Sequence, residues 1–327
     1  MTKDSTSPWC ASKDHSSRPI PLTYKRALGN RARFLELSFF PSAPYPLPMI
    51  KLPRLLLACL VLTSASAKDT PDKEVVYKTV GDKKLSLFIF NPEGHKASDK
   101  CPAIVFFFGG GWNGGSPSQF YPQSRYLASR GMVAICADYR TKKSAGTDPR
   151  KCVQDGKSAV RWIRSNAKEL GIDPDKLAAG GGSAGGHVAA TTGTNTKFDE
   201  PGEDSSVSCR PNALVLFNPV YDNGPKGYGH DRVKAYWKDF SPMHNLSKET
   251  PPTITFLGTK DNLIPVSTAE DYKKRMKDLG VRSDLHLYDG EPHGFFNKAK
   301  YDETVLETDR FLTSLGYLKG KPTLKKK

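Results

Sequence analysis

Between residues 70 and 318, short apolar runs alternate with longer segments whose apolar positions recur every three or four residues. Residues 74–79 and 84–90 read as two antiparallel strands joined through Gly81 and Asp82, a turn pair that tolerates the backbone a hairpin requires. From there β and α units alternate: a strand at 103–108, a helix at 123–129, a strand at 132–139, and a long helix at 152–170 with Ala159, Trp162, Ile163 and Ala167 at helical spacing. Further strands follow at 176–180, 213–217, 253–258 and 284–288, with helices near 266–279 and 301–315. Alternating units of this kind predict an α/β fold: a mostly parallel sheet covered by helices on both faces. The loops at the carboxyl ends of its strands are where ligands and catalytic groups belong.

One such loop is Gly181-Gly182-Ser183-Ala184-Gly185, between the apolar run 177–179 and the helix-like stretch 187–190. This is a G-x-S-x-G turn in the strand, turn, helix context that projects a serine into solvent on strained backbone. A serine hydroxyl is a poor nucleophile at neutral pH and needs a base within hydrogen-bond reach. His293, in Gly290-Glu291-Pro292-His293-Gly294, is the candidate base, and Asp261, three residues past the strand at 253–258, is the candidate acid that holds the imidazole. Asp284 and Asp289 flank the last strand and are alternatives for the acid. His286 alternates with Leu285 and Leu287 and reads as structural, whereas His187 follows the elbow directly on its helix. Upstream, Phe108-Gly109-Gly110-Gly111-Trp112 follows the strand that begins at 103, where backbone amides can turn toward an oxyanion.

The order Ser, Asp, His and these contexts resemble the α/β-hydrolase superfamily, specifically the bacterial esterase and lipase branch related to hormone-sensitive lipase and to acetyl-xylan and feruloyl esterases. The resemblance covers roughly residues 74 to 318. It implies an eight-stranded, mostly parallel sheet, Asp261 as the acid, a packing role for His187, and an oxyanion hole formed by the backbone amides of Gly110, Gly111 and Ala184. It implies a serine carboxylesterase with no cofactor. The branch usually carries His-Gly-Gly-Gly, and Phe108 stands where that histidine would be. Residues 219–248, rich in Tyr221, Tyr228, Trp237 and Phe240, are expected to form a short cap beside the pocket. Phe108, Trp112, Tyr221 and Phe295 are expected to wall a shallow substrate-binding pocket, favouring short acyl groups, with acetylated or feruloylated polysaccharide as a natural substrate class. A peptidase of the prolyl-oligopeptidase type shares fold and triad, but normally carries a large amino-terminal propeller for which 327 residues leave no room. A non-catalytic binding protein on the scaffold would be expected to lack one of the three residues.

The net charge of +15 invites a nucleic-acid reading, but residues 1–67 hold nine Lys and Arg against three Asp and Glu, leaving 40 against 31. Five of the remaining lysines lie in 319–327, expected to be a disordered basic tail, so the body is only mildly basic and a small-molecule or glycan ester is the expected partner. Residues 49–54 read as a basic n-region, 55–62 as an apolar h-region and Ala65-Ser66-Ala67 as a cleavage site, so 49–67 is expected to be a signal peptide directing secretion or periplasmic export. It is too short for a stable membrane anchor. Residues 1–48 lack periodicity and read as a disordered or non-native extension, leaving 68–318 as one catalytic domain. Cys10 and Cys59 fall in the leading segments. Of Cys101, Cys136, Cys152 and Cys209, Cys136 reads as a buried thiol, and Cys101 and Cys209 as a pair only if their loops converge across an intervening strand. No C-x-x-C or cysteine and histidine cluster suggests zinc.

Overall fold

The computed structural model describes residues 70–324. The expected extension over 1–48, the signal sequence over 49–67, Cys10, Cys59 and the last three lysines lie outside the described residues. The elements in chain order are β1 (Lys73–Val80), β2 (Lys83–Phe90), β3 (Cys101–Phe107), α1 (Tyr121–Ser129), β4 (Val133–Ala137), α2 (Lys142–Ala145), α3 (Pro149–Ser165), β5 (Ile172–Gly182) and α4 (Ala184–Thr194). They continue with β6 (Ala213–Phe217), α5 (His230–Val233), α6 (Trp237–Phe240), β7 (Thr253–Gly258), α7 (Val266–Asp278), β8 (Ser283–Tyr288) and α8 (Tyr301–Ser314).

All eight strands join one sheet in the order β1-β2-β4-β3-β5-β6-β7-β8. The β1–β2 and β2–β4 pairings are antiparallel, and every other pairing is parallel. Side chains of a strand alternate between faces, so a strand buried on both must be apolar throughout. β3 shows this directly. Ala103, Val105 and Phe107 enter one core with residues of α3, α4 and α7, while Ile104 and Phe106 enter the other with residues of α1 and α8. The central strands β3 and β5 are thus fixed from both sides, and their carboxyl ends carry the glycine loop and the Ser183 turn.

α3 starts where Asp148 caps it, its carboxylate accepting from Arg150 N with Pro149 in the first turn. It ends short of the expected Leu170. Asn166 turns its side-chain amide back onto Trp162 O at 2.7 Å, Ile172 N bonds Ala167 O, and Gly171 takes φ 61°, which turns the chain into β5. Asp155, on the buried side of α3, accepts from Arg140 Nε (2.8 Å), Arg140 Nη2 (2.6 Å) and Arg140 N (2.8 Å), and pairs with Lys78 Nζ at 2.8 Å. Glu200 pairs with both cations, accepting from Lys78 Nζ and Arg140 Nη2 at 2.6 Å each. This cluster ties β1, the segment after β4, α3 and the segment after α4 together.

The loops of Cys101 and Cys209 do not bring the two thiols together: both are free, as are Cys136 and Cys152, with β5 lying between β3 and β6. Burial pushes the Cys136 thiol up to about 12, in keeping with an inert core residue. Nor are residues 319–324 a disordered tail. Arg130 Nη2 donates to Lys319 O (3.0 Å), Thr323 N donates to Tyr126 Oη (3.3 Å), and Leu324 packs against the α1/α8 core. Among the described residues no helix is long and apolar enough to cross a membrane.

Candidate active site

The tight turn after β5 exists because its glycines leave room for backbone. A Cβ on Gly185 would meet Phe107 O at 2.1 Å and Phe108 O at 2.3 Å, and one on Gly181 would meet Gly185 O at 2.4 Å. Ser183 itself sits at φ 54°, ψ −119°, a conformation costly for an L-residue and held by Ser183 N donating to Phe217 O (2.9 Å) and His187 N donating to Ser183 O (3.0 Å).

His293 Nε2 lies 2.9 Å from Ser183 Oγ, and His293 Nδ1 lies 2.7 Å from Asp261 Oδ2. The other Asp261 oxygen accepts from Leu263 N and Ile264 N, both at 2.9 Å, so the fully buried carboxylate is fixed in orientation. Because a carboxylate only accepts, Nδ1 carries the proton and Nε2 presents its lone pair to Ser183. The Asp261 and His293 loops hold each other. Lys260 N bonds Glu291 O (3.0 Å) and Gly290 N bonds Thr259 Oγ1 (2.8 Å), and a Cβ on Gly258 would strike Glu291 O at 2.1 Å. Asp284 and Asp289 lie elsewhere: Asp284 pairs with Arg282, and Asp289 accepts from Thr259 Oγ1.

The glycine loop after β3 lies against the same turn, since a Cβ on Gly109 would meet Gly182 O at 2.9 Å and Ser183 Cβ at 3.3 Å. Several contacts hold it: Gln119 Oε1 accepts from Gly109 N (2.6 Å), Tyr139 Oη donates to Phe108 O (2.5 Å), and Arg232 Nη1 donates to Gly111 O (2.6 Å). The Phe108, Gly110 and Gly111 carbonyls and the Gly109 amide are thus occupied. No acceptor among the described residues takes the Gly110 or Gly111 N–H, and Ala184 N, in the first turn of α4, has no partner within its helix. The arrangement has the parts an acyl-transfer centre requires: an activated hydroxyl, an oriented base and unused backbone donors.

The four expected pocket residues are core residues in this structure. Phe108 stacks on Tyr139 at 4.1 Å, Tyr221 stacks on Tyr272 of α7 at 4.0 Å, and Phe295 packs against Tyr288 at 5.0 Å. Trp112 is 1% exposed, enclosed by His187, Tyr228 and Phe240 with the Arg232 guanidinium 4.9 Å over its ring. Each ring found an apolar partner that buries more of it than a pocket wall would. The segment 219–248 does lie beside the site, since Tyr228, Arg232 and Phe240 reach the glycine loop through Trp112. It offers only the short α5 and α6 and a single 3-10 turn at Pro242–Asn245. His187 is buried with its Nε2 3.0 Å from Phe240 O, and burial drops its pKa to about 3, so it is a neutral packing residue. His286, half-buried on β8, takes no part in the site.

Sequence reasoning missed Asn218. It follows β6 directly, with φ 34°, its N–H donating to Phe256 O (2.7 Å). Its Oδ1 accepts from Gly294 N at 3.0 Å and its Nδ2 lies 3.4 Å from His293 Nε2. The Gly294 contact fixes which way the amide points, because the reverse orientation would set donor against donor. The available signal was position alone: a polar residue at the carboxyl end of a central strand.

The family described as BD-FAE matches residues 87–222, and the dienelactone hydrolase family matches residues 228–311. Esterase LipC of Mycobacterium tuberculosis is 29% identical over 221 residues, covering 60% of this chain and 53% of its own length. An acetylxylan esterase of Xylanibacter ruminicola is 25% identical, covering 74% and 50%. The chain spans about half the length of the curated relatives it matches. Among solved structures, apo esterase 2 of Thermogutta terrifontis is 43% identical with a TM-score of 0.73, covering 76% of this chain and 96% of that one. Its strands, elbow and loop order together with this identity show that the chain belongs to the α/β-hydrolase superfamily, in its bacterial esterase branch.

Proposed function

We propose that the protein is a serine carboxylesterase acting on short-chain acyl esters through Ser183, His293 and Asp261. The observation that carries this reading is the unbroken chain of contacts from Ser183 Oγ through the His293 ring to Asp261, 2.9 Å and 2.7 Å. In the first step His293 Nε2 takes the serine proton as Oγ attacks the ester carbonyl, and Asp261 stabilises the imidazolium. The oxyanion that forms accepts from the amides of Gly110, Gly111 and Ala184, each worth roughly 3 kcal/mol of barrier. The imidazolium gives its proton to the departing alcohol, leaving an acyl-serine. Water then attacks with His293 again as base, releasing the acid and regenerating Ser183. Structures of T. terrifontis esterase 2 phosphorylated by paraoxon support a nucleophile of this kind.

Acyl length follows from what can cover the chain. Each methylene contributes about 0.8 kcal/mol only where apolar surface shields it. The exposed large apolar side chains among the described residues are Val76, Leu263 and Leu287, and of these only Leu263 lies in a loop of the site. The cap's Val233 and Phe240 are spent on the core. Structures of T. terrifontis esterase 2 bound to propionate and to butyrate support the same range. We expect kcat/KM on p-nitrophenyl esters to peak between acetate and butyrate, and rates with decanoate that match or exceed butyrate would refute the short-acyl reading. Similarity to an acetylxylan esterase supports acetylated polysaccharide as the substrate class, and acetate release from acetylated xylan is its assay.

Asn218 positions the base. Asn218→Ala removes the anchor of Gly294 and one contact of His293, interactions worth about 1 kcal/mol each. We expect kcat to fall by roughly tenfold with KM nearly unchanged. A rise in KM with kcat intact would assign Asn218 to substrate binding instead.

A further inference from the structure

The loop that leads into β3 holds a cluster the esterase chemistry does not use. His95 Nε2 lies 2.9 Å from Leu170 O, and because a carbonyl only accepts, Nε2 carries the proton and Nδ1 the lone pair. That lone pair faces Cys101 Sγ at 3.7 Å and Asp99 Oδ2 at 3.4 Å, and one ligating atom from each of the three residues lies within 4.8 Å of the other two. In a tetrahedral zinc site, with Zn–N and Zn–O near 2.0 Å and Zn–S near 2.3 Å, ligand atoms stand roughly 3.3 to 3.6 Å apart. Both distances from the imidazole are close to that spacing.

The surroundings are built to hold it. Lys96 N donates to Asp99 Oδ2 (2.8 Å), Asp99 N to Lys96 O (3.0 Å) and Cys101 N to Gly171 O (3.0 Å). Gly171 packs so closely that a Cβ there would meet Lys96 O at 2.3 Å and the His95 ring at 2.8 Å. A carbonyl on the distal imidazole nitrogen is the partner that fixes a metal-binding histidine's tautomer. A thiolate, a carboxylate and a neutral imidazole together offset a 2+ charge, and all three residues are partly exposed, leaving a fourth direction for water. Thiol and imidazole donors select zinc-like cations over calcium or magnesium.

We propose that His95, Asp99 and Cys101 form a binding site for one divalent zinc-like cation, which pins the loop before β3 onto the first residue of that strand. Binding releases the Cys101 thiol proton to solvent as the metal–sulfur bond forms. The site sits at the amino ends of β3 and β5, whereas Ser183 follows the carboxyl end of β5, so the cation stabilises the fold and stays out of ester hydrolysis. This proposal is independent of the esterase reading.

The test is titration of the metal-free protein with Zn²⁺ by calorimetry and with Cd²⁺ by the ultraviolet thiolate-to-metal absorption. The expected result is one equivalent per chain, a Tm that rises by roughly 5 °C or more at free cation about 100-fold above Kd, and unchanged kcat. Cys101→Ser, which preserves the side chain's shape, should weaken binding at least tenfold and abolish the cadmium–thiolate band, and Cys209→Ser should bind as the parent does. Failure to bind one equivalent, or binding and a thiolate band that survive Cys101→Ser, would overturn the proposal.

Discussion

Ser183→Ala is expected to lower kcat on p-nitrophenyl acetate by at least about 10⁴-fold, some 5 kcal/mol of barrier, while leaving Tm within about 1 °C of the parent. The hydroxyl's contact is with His293, and no other described side chain bonds to it. Its backbone is held by Phe217 O and by the helix that follows, neither of which the substitution touches. The glycines at 181 and 185, which make the turn possible, remain. His293→Ala should behave in the same way because no other imidazole among the described residues reaches Ser183. His286→Ala should retain activity. Retention of more than about 1% of kcat by Ser183→Ala, with steady-state kinetics on purified protein, would assign the nucleophile elsewhere.

The second large effect concerns stability. Asp155→Ala is expected to destabilise the fold by about 3–5 kcal/mol, because removing one partner of a buried ion cluster leaves the others buried and uncompensated. Asp155 is fully buried and receives three hydrogen bonds from Arg140 and an ion pair from Lys78, which Glu200 alone cannot replace. For a domain of this size that corresponds to a fall in Tm of roughly 10 °C. The activity of the protein that remains folded should be close to normal, since none of these side chains touches the Ser183 loop. A melting curve that moves by less than about 2 °C would mean that water reaches the cluster and screens it.

Much of this was legible in the chain because it is local. Strand positions follow from apolar runs such as 103–107 and 253–258, and the Ser183 turn from glycines whose spacing is a backbone requirement. Asp261 and His293 could be placed because each follows a strand. What was not legible depends on partners distant in sequence. Trp112, Tyr221 and Phe295 read as pocket walls because aromatic residues near a site favour substrates. Their true neighbours, Phe240, Tyr272 and Tyr288, bury them, and no periodicity announces such pairs. Asn218 and Arg232 act through loops brought together only by the sheet order. The cluster of His95, Asp99 and Cys101 was overlooked because its convergence depends on Leu170 and Gly171, which set the imidazole and the loop.

The most direct test of the central claim, that Ser183 is the nucleophile of an esterase, is labelling with a fluorophosphonate followed by intact mass and peptide mapping. One adduct per chain is expected, on the peptide containing Ser183, with esterase activity lost in proportion to the fraction labelled and no adduct on Ser183→Ala. An adduct on another residue, or full activity in protein whose Ser183 is modified, would contradict the account.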